Sequence, residues 1–478
     1  MHVKNYGTTG SLFETDLDAA ARLDAIDFVH AYTALYTVRR EVNRLLDQVG
    51  WPGCGGRLVD ASCGDGSVLS VALDRLLASA ALNDEDVAYH VQGYEMHEHA
   101  AAEARATVAA VLVQHGRTPA RAREVATRIV HHLDFLTDGP MTPTFDLHVG
   151  NPPYMRMVNV PEPLRSDYLR VVPAHARHDM LFSFLDRCAS TLLPGGTMGF
   201  VLSDRFLFNK TAADLRQHLG PQLSVSHVER LDAASAFNKP KLRRKGTPPR
   251  VHPVMLVLGT QGRPLTREPI YPDAPLEAFS HLPTLGELAT IRLAPYLGQR
   301  GIFYMPLREA RVAGIPPQDL VPVVEPRDVS RGIMAEPRLV AIRTRAGVRP
   351  CDAILQHLEH NRHRMTKREL ARGWLPRESF EGWDLDAPSL VVPRAVQTPV
   401  ATRIRPGVLP IGHDLSIVTA TPAALDMIER AIHKPVAAGW LRAYAPPICN
   451  GYHALDPDLL RKMPIDRRRV DREPTPDA

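Results

Sequence analysis

The 478-residue sequence predicts an α/β fold, a doubly wound and mostly parallel sheet followed by a second, α+β domain. Two patterns carry that expectation. Over residues 1–260, short apolar runs alternate with helical stretches, and turn residues close the runs. From residue 261 the texture changes to brief strand-like runs broken by prolines.

In chain order, a helical stretch over 25–49 leads into a strand at 57–60 and a glycine turn. A helix over 68–81, a strand at 90–95 and an Ala-rich helix over 97–114 follow. Further strands are read at 129–133 and 145–150, then a helix over 180–193, the turn Pro194-Gly195-Gly196 and a strand at 197–202. The run 251–258 reads as a buried strand near the end of this first domain. Residues 261–290 hold Pro264, Pro269, Pro272, Pro275 and Pro283 with little periodicity, the composition of a linker. Residues 291–465 form the second domain, with one basic helix around 355–372, and 466–478 read as a disordered tail.

Composition narrows the function classes. A hydrophobic fraction of 44% and a charged fraction of 23% are those of an ordinary globular chain. There is no apolar run near the roughly 18 residues of a membrane span, and the start lacks a signal-peptide pattern. Five scattered cysteines form no CxxC pair, which argues against a disulfide framework or thiolate zinc site. A cytoplasmic location follows as an expectation. The net charge of +4 hides an asymmetry: residues 1–150 carry 12 basic and 20 acidic side chains, whereas 151–260 carry 15 and 8, and 261–478 carry 30 and 25. A basic remainder after an acidic start suits a polyanionic partner.

The sharpest chemical signal is Asn151-Pro152-Pro153-Tyr154, directly after the strand ending at Gly150. Open α/β sheets place their ligands at such carboxyl ends. An exocyclic amine on a base is a poor nucleophile because its lone pair is delocalised into the ring. The Asn151 side-chain oxygen and the Pro152 carbonyl can each accept one N–H, favouring a pyramidal nitrogen. The prolines fix the backbone that presents both acceptors, and Tyr154 offers a flat face for the base. The turn Asp60-Ala61-Ser62-Cys63-Gly64-Asp65-Gly66 supplies a ligand cradle, its glycines permitting close approach. Glu95 ends the next strand, where a carboxylate can accept from ribose hydroxyls. Asp134-Phe135 ends the third, offering an acceptor and a ring to an adenine.

This pattern resembles the S-adenosylmethionine-dependent DNA adenine-N6 methyltransferases of the gamma (Taq-like) order, with a Rossmann-like catalytic domain first and a target-recognition domain last. Asp60–Gly66 is similar to their (D/E)-P-A-C-G-x-G loop, with Ala61 and Ser62 in place of Pro-Ala. The resemblance implies that Asp60, Cys63, Gly64 and Gly66 bind the cofactor, with Glu95 and Met96 at its ribose and Asp134 and Phe135 at its adenine. Tyr36-Thr37-Val38, or Tyr32-Thr33, resembles the Y-T-P element beside the methionine moiety, which puts Thr37 there. Asp179–Leu185 resembles the helix after the catalytic loop and brings Phe184 to the cofactor. Asn151, Pro152, Pro153 and Tyr154 are implied as catalytic, and Phe237 as a second aromatic against the base; core packing explains Phe237 equally well. The run 239–250 reads as an inserted loop whose Lys239, Lys241, Arg243, Arg244 and Lys245 suit phosphate contact. Softer similarity continues through Pro283–Ile291, Gly298–Phe303, His357–Arg368 and Gly451–Ile465.

The implied activity is methyl transfer to an adenine flipped out of double-stranded DNA, in a restriction-modification or defence setting that includes a partner subunit, with no membrane association. Its rivals are an RNA adenine methyltransferase, a protein-glutamine methyltransferase and a silent DNA-binding subunit. No metal site is expected: His97 and His99 are spaced i,i+2, on different sides of a helix, and His131-His132 lacks a carboxylate partner pattern.

Overall fold

A computed structural model of the chain describes residues 12–467 except 234, 239–251, 273–278, 346, 373–374, 376–379, 381 and 449–450. The five basic residues Lys239, Lys241, Arg243, Arg244 and Lys245 therefore lie outside the described residues, as do 468–478. The chain divides into two compact units, residues 1–272 and 273–478.

In the first unit α1 (Leu12–Thr33), the short strand β1 (Tyr36–Thr37) and α2 (Arg39–Gln48) precede β2 (Leu58–Asp60). Then come α3 (Ser67–Ser79), α4 (Asp84–His90), β3 (Val91–Glu95), α5 (Glu98–Gln114), α6 (Pro119–Ile129), β4 (Val130–His132) and β5 (Phe145–Gly150). After α7 (Leu164–Val171) and α8 (Met180–Ser190) the chain runs through β6 (Leu192–Ser203), α9 (Arg205–Phe208), α10 (Ala213–Leu219) and β7 (Ser224–Arg230). The ribbon strand β8 (Phe237–Asn238), β9 (Pro253–Gly259) and β10 (Arg263–Pro264) complete it.

Eight strands form one mixed sheet in the order β10-β7-β9-β6-β5-β2-β3-β4. The β6-β5-β2-β3-β4 side is parallel, and β9, β7 and β10 are added antiparallel. Strand order reverses between β2 and β5, so the crevice where ligands bind in such sheets opens at their carboxyl ends. Alternation along the strands separates two apolar layers: Leu256 and Leu258 of β9 pack with α8 residues such as Phe182, while Met255 and Val257 pack with Leu69 of α3 and Val108 of α5.

Several expectations change in detail. The 25–49 helix is interrupted by β1, which pairs antiparallel with β8 through Tyr36↔Asn238 and Thr37↔Phe237. Pro194-Gly195-Gly196 lies inside β6, where pairing jumps from Phe145↔Leu192 to Leu147↔Thr197; the strand absorbs the extra residues as an irregularity instead of ending. Part of the 261–290 segment is ordered, as β10 on the sheet edge and as a helix at Leu285–Leu288. The basic helix breaks into Asp352–His360, the 3-10 turn Arg362–Arg364 and Lys367–Ala371, since Thr366 and Glu369 form a capping box that starts a new helix.

The second unit holds two four-stranded sheets. One runs Thr290–Leu293, Leu415–Thr419, Ser389–Pro393, Thr402–Ile404, all antiparallel. The other runs Tyr304–Pro306, Leu339–Ile342, Leu320–Val324, Leu409–Pro410, with a parallel last pair. Asp466 is buried and its carbonyl accepts from Lys434 Nζ at 3.1 Å, so order extends past the expected start of the tail.

Candidate cofactor and methyl-transfer site

A cleft opens at the carboxyl ends of β2, β3, β4 and β5, and it is lined by the residues that follow each strand. After β2 the chain turns sharply into α3. The Asp60 carboxylate accepts from Ser62 N at 3.1 Å, and Gly64 N donates to Glu95 Oε2 at 2.9 Å, tying the turn to the end of β3. Gly64 has φ +55, and a Cβ there would sit 2.7 Å from Cε1 of Tyr36; Gly66, at φ +81, lies against the Ala104 backbone of α5. Both positions need glycine, for conformation and for space. They shape the cradle from behind rather than line it, whereas Asp60, Cys63 and Asp65 do line it.

Glu95 is buried with Oε1 accepting from His97 N at 2.9 Å, and Met96 lies beside it in the cleft wall. Asp134 is fixed similarly: Oδ1 accepts from Leu136 N at 3.0 Å and Oδ2 from the Tyr168 hydroxyl at 2.9 Å. Each carboxylate keeps further lone pairs for a ligand. Burial raises the pKa of all three acids, Asp60 to about 7 and Glu95 and Asp134 each above its ordinary value. Three clustered, desolvated carboxyls favour a ligand bringing N–H and O–H donors and positive charge. Phe135 and Phe184 lie near-parallel across the cleft wall, ring centroids 6.5 Å apart at 20°. Thr37 Oγ1 is buried and without a hydrogen-bond partner among the described residues, on a side chain that faces the cleft. Its position is set by the β1-β8 pairing, so Phe237 supports Thr37 from the other strand of the ribbon.

Asn151 lines the same cleft with Pro153. Its Nδ2 donates to the Leu35 carbonyl and its Oδ1 accepts from the Tyr154 hydroxyl, which also reaches the Val201 carbonyl at 3.0 Å. These contacts orient the amide oxygen. Pro152 is buried, and the Tyr154 ring packs against both apolar layers of the sheet. Neither Tyr154 nor Phe237, which is also buried, lines the cleft in this conformation.

Residues 118–237, from α6 to β8, match the family model described as Eco57I restriction-modification methylase. Over that segment the chain is similar to an Eco57I-type methylase domain. Over 243 residues it is 31% identical to the Type II methyltransferase M.XhoI of Xanthomonas vasicola, covering 46% of this chain and 44% of that one. Over 251 residues it is 28% identical to the Type II methyltransferase M.PaeR7I of Pseudomonas aeruginosa, covering 50% of this chain and 42% of that one. The matched region thus spans less than half the length of these relatives. The solved structure of the Type IIL restriction-modification enzyme MmeI in complex with DNA shares the fold, at a TM-score of 0.57 and 12% identity, over 94% of this chain and 66% of that chain.

The methylase match includes Asp134, Phe135, Asn151–Tyr154, Phe184 and Phe237, while the Asp60–Gly66 cradle and Glu95 lie upstream of it. Sequence reasoning missed most of the wall built by α1 and the segment after it: Val29, His30 and Leu35 line the cleft, together with Thr33 of the alternative Tyr32-Thr33 element. His30 stacks on His97 with ring centroids 3.9 Å apart at 7°, and burial lowers its pKa to about 4. An i,i+4 pairing of Val29 and Thr33 was the available signal that one face of α1 meets something.

Proposed function

We propose that this chain is an S-adenosylmethionine-dependent DNA adenine-N6 methyltransferase. The observation that carries the reading is the convergence, at the reversal of strand order, of Asp60, Glu95, Asp134-Phe135 and Asn151 on one cleft. The donor set fits the cofactor: the unpartnered Thr37 hydroxyl, three oriented carboxyls and the Phe135–Phe184 pair suit an adenosine carrying an amino-acid moiety. Glu95 would accept from the ribose hydroxyls and Asp134 from the adenine amine, with Phe135 against the ring and Thr37 at the amino-acid end. S-adenosylmethionine, when bound, supplies an electrophilic methyl group on a sulfonium.

The chain's own residues prepare the nucleophile. Asn151 Oδ1 and the Pro152 carbonyl accept the two amine hydrogens, which localises the nitrogen lone pair for attack. The Leu35 carbonyl holds the amide nitrogen and so keeps the oxygen turned to its task. An adenine must leave the duplex stack to reach this depth, and Tyr154 provides a face for it after turning from its packed position. The second unit would read base edges while arginines set register on phosphates. A restriction partner in the same system fits this reading.

The test is nucleoside mass spectrometry for N6-methyladenine in DNA from a methylation-free host. The parent protein should give a signal, and Asn151→Ala should lower the rate by about 100- to 1,000-fold, the scale for removing one preorganised polar group. Full activity in Asn151→Ala would overturn the mechanism. Methylation of RNA but not duplex DNA would overturn the substrate.

A further inference from the structure

At Asp186, two residues along α8 from the cleft-lining Phe184, three side chains from separate elements converge on one spot. His175 Nε2 lies 2.7 Å from Asp186 Oδ1, and His218 Nε2 lies 3.8 Å from the same oxygen. All three potential ligand atoms fall within 4.8 Å of one another. The two imidazoles stack, centroids 4.1 Å apart at 26°, so their Nε2 atoms face the carboxylate side by side. His175 sits on the 3-10 turn Ala174–Ala176, Asp186 in α8 and His218 in α10.

We propose that His175, Asp186 and His218 form a binding site for a borderline transition-metal dication, Zn²⁺ in the first instance. The argument begins with Asp186. Its side chain is 11% exposed, and among the described residues its ion-pair partners are the two histidines. The neighbouring Arg187 turns its guanidinium to the Gly139 carbonyl at 3.1 Å instead. Two stacked imidazoles repel if both carry a proton charge, whereas a dication binds both as neutral donors and offsets the carboxylate at once.

Spacing agrees. Ligands at about 2.1 Å from a tetrahedral Zn²⁺ stand roughly 3.4 Å from each other, and the separations of 2.7 and 3.8 Å straddle that value. Small side-chain rotations even them, and His218, 57% exposed, has the room to make them. Three protein donors leave a fourth position open to water on the exposed side. Two nitrogens and one carboxylate favour Zn²⁺, Co²⁺ or Ni²⁺ over Ca²⁺ or Mg²⁺, which demand more oxygen ligands. The ligands lie 11 and 32 residues apart, which is why no spacing motif announces them. Bound metal would brace α8, the helix that carries Phe184 to the cleft.

The test is titration of the chelator-treated full-length protein with Zn²⁺ alone, followed by calorimetry, and with Co²⁺ alone, followed by visible absorption. One saturable Zn²⁺ per chain and the intense d–d bands of four-coordinate Co²⁺ are expected. His218→Ala should weaken binding by about 100-fold or more, since even an outer partner of a ligand is worth 10- to 100-fold. His99→Ala removes an exposed histidine paired only loosely with Glu103 at 3.6 Å and should leave affinity unchanged, a necessary control in a chain with 21 histidines. Circular dichroism of metal-free His218→Ala verifies folding, which the exposed position should spare. Absence of saturable binding, or equal affinity in the parent and His218→Ala, would overturn the site.

Discussion

In the proposed mechanism Asn151 would carry the chemistry, and the contacts of its amide show how the side chain is held. The single hydroxyl proton of Tyr154 is shared between Asn151 Oδ1 and the Val201 carbonyl. When a base amine takes Oδ1, that proton can pass wholly to Val201. Tyr154→Phe should therefore keep methylation within about tenfold of the parent and cost roughly 1 kcal/mol of stability, the net worth of one hydrogen bond. Tyr154→Ala also removes a packed ring and should cost about 3–5 kcal/mol. Steady-state rates and urea unfolding of both variants check this; a Phe variant as inactive as Asn151→Ala would make the hydroxyl a participant. Asp60 yields a prediction in pH. Burial first, then the charges of Glu95 and Asp65, raise its pKa to about 7, against the pull of the Ser62 N–H. Because the folded value lies above the unfolded one, its relative contribution to stability is full below about pH 4 and is lost as pH rises through 7. The same ionisation creates negative charge in the cleft, so affinity for cationic S-adenosylmethionine should rise between pH 6 and 8. S-adenosylhomocysteine, which lacks the sulfonium, should show a flatter profile in the same titration. Parallel profiles for the two ligands would sink the assignment of Asp60 to that charge.

At the scale of elements, the cleft is a set of turns that strands deliver to one edge, and the tightest of them is the glycine turn between β2 and α3. Gly64→Ala must place a methyl group 2.7 Å from the Tyr36 ring at a left-handed φ of +55. The variant should fold with a loss of about 1 kcal/mol from the backbone alone. It should bind cofactor at least tenfold more weakly as Tyr36 is displaced into the cleft it lines, and isothermal titration measures this directly. Unchanged affinity would mean that Tyr36 yields without cost. These turns were legible in the sequence because each follows an apolar run: Phe145–Gly150 before Asn151, Val91–Glu95 before Met96 and Leu58–Asp60 before the glycine turn. The helix α6 was overlooked although Thr118 caps it, Pro119 opens it and Ala122, Val125, Ala126 and Ile129 are buried at helical spacing. What the sequence hides is contact between distant segments. The α1 wall of the cleft, the β1-β8 ribbon that seats Thr37 and the convergence of His175, Asp186 and His218 depend on tertiary packing, whose partners local periodicity does not name.

On the scale of the whole molecule, the residues lining the cleft all belong to the unit 1–272, which has its own sheet and apolar layers. A fragment of those residues should thus fold and bind S-adenosylmethionine within a few-fold of the full chain while methylating no DNA, as calorimetry and the mass assay would show; methylation by the fragment would remove the second unit from recognition. Charge supplies the complementary prediction. Residues 1–150 are acidic and the remaining 328 hold 45 basic against 33 acidic side chains, so the attraction for a polyanion resides in the later part of the chain. Five of those charges, Lys239, Lys241, Arg243, Arg244 and Lys245, fall within seven consecutive residues that follow β8. If they neutralise phosphates, each contact releases counterions, and the plot of log affinity against log salt has a slope of about −0.9 per phosphate contacted. Replacing all five with Gln should make that slope shallower by up to about 4.5 and weaken binding most at low salt. Fluorescence anisotropy with a duplex across a range of salt concentrations gives the two slopes. Parallel lines would show that the run is a solvated loop, and phosphate contact would then have to be sought among the arginines of the second unit.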